Sequence, residues 1–142
     1  MNVLVIDDEP SMVAPIINGL KRRKRKLNWD YYAPNKTNLS DIKKDLADNL
    51  KIKPDIVLLD LMMSDVRGGN KDEPNGLKLL DDIKRSQIAN INAYVKVIVV
   101  SGTLDLDKIY ETHGQYIYRV IAKPADMNDL FELLETIAKE EV

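Results

Sequence analysis

The chain has no cysteine and a single histidine among its 142 residues. The first absence removes disulfide frameworks, thiolate zinc sites and cysteine nucleophiles together, and agrees with a reducing compartment. The second leaves His113 without a companion at metal-ligand spacing, so it reads as a surface residue beside the Gly114 stop. Basic charge is not in excess: the formal net charge is −2, which does not suggest wholesale nucleic-acid binding. No stretch approaches the roughly 18 apolar residues of a membrane span. The opening apolar run, Val3 to Ile6, is short, lacks a basic flank and ends in acids, unlike a signal peptide. A cytoplasmic protein is expected. At this length the chain can bury the core of one domain, 1–142, without disulfide or metal staples.

What the chain does have is four apolar runs that each end on a different polar group. Val3–Ile6 runs into Asp7-Asp8-Glu9, Ile56–Leu59 into Asp60, Val97–Val100 into Ser101-Gly102, and Val120–Ala122 into Lys123-Pro124. Runs rich in Val and Ile without alternation read as strands buried on both faces, the pattern of a parallel sheet covered by helices. Leu27 to Tyr32 predicts one more strand, with Trp29 as packing. Helical spacing recurs at Val13, Ile16, Ile17 and Leu20, with Pro15 placed near the first turn. It recurs again at Leu39, Ile42, Leu46 and Leu50, at Leu77, Leu80, Ile83 and Ile88, over Leu104 to Thr112, and at Leu130, Leu133, Leu134 and Ile137. The order βαβαβαβαβα argues for a three-layer α/β fold. In such sheets ligands bind beyond the carboxyl ends of the strands, so the four polar run-ends should share one crevice. Residues 64–76 are polar and rich in Gly, Asn and Pro, and predict a long exposed loop beside Asp60.

The chemistry of that crevice follows from its residue types. Asp7, Asp8 and Asp60 together would raise one another's pKa values unless a cation compensates them. Mg²⁺ takes about six oxygen ligands and is usually held by one or two carboxylates plus waters and phosphate oxygens. Lys123 could balance the charge of an incoming phosphoryl group and the Ser101 hydroxyl could hydrogen-bond to it. Asp60 would then serve as the nucleophile, giving an aspartyl phosphate.

These residues resemble the response-regulator receiver domain of two-component signalling, similar to the chemotaxis-regulator type. The motifs are Asp-Asp-Glu at 7 to 9, Leu-Leu-Asp-Leu-Met-Met at 58 to 63, Ser-Gly at 101 to 102 and Lys-Pro at 123 to 124. Each is weak alone; four in order, each closing an apolar run, are specific, and the resemblance spans essentially the whole chain. It implies a (βα)5 flavodoxin-like sandwich with a five-stranded parallel sheet of order 2-1-3-4-5. It also implies phosphorylation of Asp60 by a sensor histidine kinase or a histidine phosphotransfer protein. Mg²⁺ would be bound by Asp8, Asp60 and the backbone carbonyl of Met62, with Asp7 acting mainly through water. A cis Lys123-Pro124 bond is implied as well. The chain would not be an enzyme acting on other molecules, though it could catalyse its own phosphorylation from small phosphodonors and its own dephosphorylation.

Three features depart from the family pattern. Gly76-Leu77 comes late, after the extended 64–76 loop, which reads as a tolerated insertion or as a shield or partner contact. In the switch, Ser101 has its expected place, but Val120 stands where the family has an aromatic residue. Tyr118, two residues earlier, would share its face on an extended strand and could substitute for it. Lys21 to Lys26 form a basic run that reads as a solvated helix end, with an acidic partner or nucleic acid as the other reading. Output would pass through a surface made by helix four, strand five and helix five, toward a downstream protein or a second copy. No DNA-binding domain is expected in this chain. Two other readings stay open: a non-phosphorylated pseudo-receiver serving as an interaction module, and an Asp-nucleophile phosphatase. The latter is disfavoured because Met62 occupies the place of its second acid.

Overall fold

The computed structural model describes residues 1–69, 73–102, 106–123 and 125–140, with the side chains of residues 25–27 left aside. Five strands and five helices alternate: β1 (Asn2–Ile6), α1 (Pro10–Leu27), β2 (Asp30–Tyr32), α2 (Leu39–Asn49), β3 (Ile56–Leu59), α3 (Gly76–Lys84), β4 (Lys96–Ser101), α4 (Leu106–His113), β5 (Arg119–Ala122) and α5 (Met127–Glu140). The strands form one sheet in the order β2-β1-β3-β4-β5. Every adjacent pair is parallel. The expected flavodoxin-like architecture is therefore present.

Both faces of the central strands are buried, which is why their sequences run apolar without alternation. Leu4, Ile6, Val57, Leu59, Val97 and Val99 point into a core shared with α2, α3 and α4. Their alternate neighbours Val3, Val5, Ile56, Leu58, Ile98 and Val100 point into a second core against α1 and α5. On this second side Gly19 lets α1 and α5 approach closely: an added Cβ would stand 2.0 Å from Cζ of Phe131. Arg23 lies over the same ring, 4.2 Å from its centroid, and pairs with Glu135 at 3.2 Å.

Several local expectations need correction. α1 runs through Leu27, so the predicted second strand loses its first residues, and Trp29 is buried just ahead of β2. Lys and Arg are good helix formers, and the basic run simply continues the helix beyond its apolar stripe. Pro15 falls in the second turn of α1, because the helix begins at Pro10. Ile88 follows α3 but is still buried in the first core. α4 begins, as described, at Leu106; Leu104 lies outside the described residues. His113 is a tie between helices rather than a free surface residue: its Nε2 lies 3.0 Å from Oδ1 of Asp81 on α3.

The 64–76 stretch is not simply an exposed loop. Its first residues run beside the start of α2, where Ser64 pairs with Asn38 in a parallel bridge. The carbonyls of Ser64 and Asp65 accept the N–H groups of Leu39 and Ser40 at 2.9 and 3.0 Å. The Asn38 side chain accepts that of Asp41 at 2.9 Å. The first three amides of α2, which no helix can satisfy internally, are thus all paired. Asn38, Ser64 and Asn75 are buried, while Val66 is exposed.

Candidate functional site

The strand registers place the polar run-ends side by side. Ile6 pairs with Leu59, Leu59 with Val99, and Ser101 with Ala122. The next residues of β1, β3 and β5, namely Asp7, Asp60 and Lys123, therefore emerge at the same end of the sheet. The Asp60 amide donates to the Ile6 carbonyl at 2.8 Å, carrying the β1–β3 pairing one residue beyond the strands. The Lys123 amide donates to the Ser101 carbonyl at 2.9 Å and does the same for β4 and β5.

Asp7, Asp8 and Asp60 are all buried, and each offers a carboxylate oxygen within 4.8 Å of the others. Lys123 Nζ sits between two of them, 3.1 Å from Oδ2 of Asp7 and 3.2 Å from Oδ2 of Asp60, with Glu9 Oε1 farther off at 3.9 Å. Backbone amides fix the remaining oxygens: Met62 N–H donates to Oδ1 of Asp60 at 3.1 Å, and Glu9 N–H to Oδ1 of Asp7 at 2.8 Å. Among the described residues two buried side-chain oxygens have no hydrogen-bond partner, Asp8 Oδ1 and Ser101 Oγ. A cleft of ≈ 370 Å³ between α1 and the β2–α2 connection, walled by Val13, Ile17 and Pro34, reaches Asp7 and Asp8.

The electrostatics reflect three acids held against one ammonium. Burial raises the Asp60 carboxyl to about 7, with a further push from Asp7, against the pull of Lys123 and the Met62 amide. Burial also raises Asp7, opposed by the Glu9 amide and Lys123. Burial alone would lower Lys123, but the charges of Asp60 and Asp7 outweigh it and its pKa is raised. Such a site has an uncompensated negative charge and an orphaned carboxylate oxygen. A hard divalent cation with oxygen ligands fits both. Among the described residues this is the one acidic group with metal-holding geometry.

A family model for the response regulator receiver domain matches residues 3–135. The chain belongs to this family. Among solved structures, a response regulator receiver protein from Pseudomonas putida is 24% identical with a TM-score of 0.67, covering 95% of each chain. The signal receiver domain of a DNA-binding response regulator from Colwellia psychrerythraea is 22% identical with a TM-score of 0.72, covering 98% of each. A response regulator from Burkholderia pseudomallei, with a phosphorylated aspartic acid, a calcium ion and citrate, is 21% identical. Its TM-score is 0.65, over 98% of this chain and 69% of that one. These three show the receiver fold. Among curated proteins none matches significantly.

The structure brings together Asp7, Asp8, Asp60, Met62, Ser101 and Lys123. It does not bring Tyr118 to them. β5 begins at Arg119, so strand alternation does not reach back to Tyr118. Tyr118 packs on the α1–α5 side, whereas Val120 packs on the side of α2, α3 and α4. The Tyr118 hydroxyl donates to Glu140 on α5 at 3.4 Å, and its ring lies 4.8 Å from the Arg119 guanidinium carbon. Tyr118 thus occupies the opposite side of the sheet from Val120. Pro124 lies outside the described residues, and with it the isomer of its peptide bond.

Sequence reasoning missed Asn75. Its buried side chain donates to the Met63 carbonyl at 2.8 Å. It also undervalued Gly76, where a Cβ would fall 2.5 Å from the Asp60 carbonyl oxygen and 2.6 Å from Leu61 Cα. The late Asn-Gly pair was the available signal, since glycine at a close backbone approach is a reason for glycine.

Proposed function

We propose that this receiver domain accepts a phosphoryl group on Asp60 from the phosphohistidine of a sensor kinase or histidine phosphotransfer protein. The observation that carries the proposal is the position of Lys123 between Asp7 and Asp60, with Asp8 Oδ1 and Ser101 Oγ buried beside them and unpaired. Asp60 is held at the donor end of the Met62 amide and presents Oδ2 toward Lys123. Its oxygen forms the new O–P bond as the P–N bond of the donor breaks, and the leaving imidazole is neutral once a proton from solvent replaces the phosphoryl group. Lys123 then exchanges part of its carboxylate contact for a phosphoryl oxygen, and the Ser101 hydroxyl donates to another.

Asp8 and Asp60, with the Met62 carbonyl, would hold Mg²⁺, and Asp7 would support it through water. The cation would supply charge neutralisation for the transferring group. Small phosphodonors would use the same groups, as would water when it attacks the phosphoryl group and releases inorganic phosphate from Asp60. The phosphorylated form would present the α4–β5–α5 surface to a protein target or a second copy; Tyr110 on α4 is already 48% exposed there.

Intact mass after incubation with Mg²⁺ and acetyl phosphate or phosphoramidate tests the reading. One added phosphoryl group is expected, absent in Asp60→Asn and absent with chelator. No adduct under conditions of slow hydrolysis would favour the pseudo-receiver reading instead.

A further inference from the structure

Between Met63 and Asn75 the chain makes an excursion of twelve positions, yet its two ends are held together. Met63 and Pro74 form a parallel bridge. The Asn75 side chain donates to the Met63 carbonyl at 2.8 Å, and the Gly76 amide donates to the Leu61 carbonyl at 2.9 Å. Asn75 itself is 3% exposed. Although it precedes α3 directly, its side chain makes no capping bond to that helix. A buried polar side chain spent on a neighbouring loop rather than on the helix it adjoins needs a reason, because burying an amide without using it is costly.

We infer that Asn75 is a positioning residue for the phosphoacceptor segment: its amide fixes the Met63 carbonyl and through it the backbone of Leu61–Met63. That backbone carries the Met62 N–H that orients Asp60 and the Met62 carbonyl assigned above to the cation, so the inference rests in part on the proposed function. The segment is gripped from two sides, by the Asn75 amide at Met63 and by the backbone of Gly76 at Leu61. Among the described residues of the loop, Arg67 reaches Asp41 at 3.3 Å and Asp65 reaches Lys78 at 3.1 Å, contacts to α2 and α3 that lie outside this clasp.

The test is Asn75→Leu, which keeps the branched heavy-atom skeleton and removes the donor, with Asn75→Asp as a second variant of nearly unchanged shape and volume. Arg67→Gln serves as control. Amide hydrogen exchange of the metal-free protein, read by NMR, should show the Met62 and Gly76 amides losing protection about tenfold or more in both Asn75 variants and in neither case for Arg67→Gln. Mg²⁺ affinity, from a separate titration, should fall about tenfold in the Asn75 variants, within the range found when a group supporting a metal ligand is removed. Unchanged Met62 and Gly76 exchange in a folded Asn75 variant overturns the inference. Equal loss across the whole sheet overturns it too, since that is general destabilisation. If the wild type takes up neither Mg²⁺ nor phosphate, the functional proposal fails, and the exchange measurement still decides the role of Asn75.

Discussion

Replacing Asp60 by asparagine should stabilise the metal-free protein, even though it removes the proposed reactive group. The Asp60 carboxyl is 2% exposed and is raised from 3.8 to about 7. That displacement corresponds to roughly 4 kcal/mol of folding free energy forgone when the group must be charged. Asparagine keeps an oxygen to accept from the Met62 amide and carries no charge, so a gain of about 2–4 kcal/mol is expected at pH 8. The pH dependence has a definite sign. Because the folded-state pKa is above the unfolded one, the favourable contribution of wild-type Asp60 is complete below about pH 3.8 and is lost as pH rises through about 7. The advantage of the asparagine variant should therefore shrink across that window, to under about 1 kcal/mol by pH 4. Chelator-treated proteins unfolded by denaturant and followed by circular dichroism at pH 4, 6 and 8 would measure it. At roughly 2–4 °C per kcal/mol for a chain of this size, melting temperatures should separate visibly. Saturating Mg²⁺ should narrow the difference at pH 8, because it stabilises the form that binds it. A variant less stable than wild type at pH 8, or a difference that does not change with pH, would refute the electrostatic account of the site.

Lys123→Gln should abolish most phosphoryl uptake, by on the order of 10²–10³-fold, while Mg²⁺ uptake through Asp8, Asp60 and the Met62 carbonyl should persist; mass spectrometry and a metal titration separate the two effects. Gly76→Ala drives a methyl into the Asp60–Leu61 backbone and should destabilise by about 1–3 kcal/mol as well as slow uptake. Gly19→Ala meets the Phe131 ring and should cost a similar amount, partly recovered in the double variant with Phe131→Leu, with no change in Mg²⁺ affinity. Deleting residues 67–72, between the bridged Met63 and Pro74 in sequence, should leave uptake unchanged and shift stability by less than about 1 kcal/mol.

The central strands were legible because burial on both faces leaves one kind of sequence, and the site was legible because each strand ends on the residue that reaches it. β2 was read too long, since one exposed and two half-buried residues give little periodic signal and the basic run concealed a helix that goes on to Leu27. The parts that stayed hidden depend on contacts between distant segments. Asn38, Ser64 and Asn75 are residue types common in turns, and nothing local says that each is buried. The same holds for Tyr118: its face is set by where β5 starts, a boundary that the sequence alone does not mark. The joint grip of Lys123 on two carboxylates could be anticipated in kind, but its distances and the resulting rise in the Asp60 pKa could not.

Trp29 is the only tryptophan in the chain. It is 1% exposed and precedes β2 at the edge of the sheet where Asn2 pairs with Asp30. Asp60 lies beyond the opposite, carboxyl end of the strands, past Ile6 and Leu59. At about 3.3 Å per residue the six register steps between them separate Trp29 from Asp60 by roughly 20 Å along the strands. Indole emission in this protein is thus first a reporter of unfolding, with Trp29 set apart from Asp60. A silent emission spectrum on adding a phosphodonor is no sign of an unmodified protein, and an optical assay of the site would need a second fluorophore introduced near the carboxyl ends of the strands.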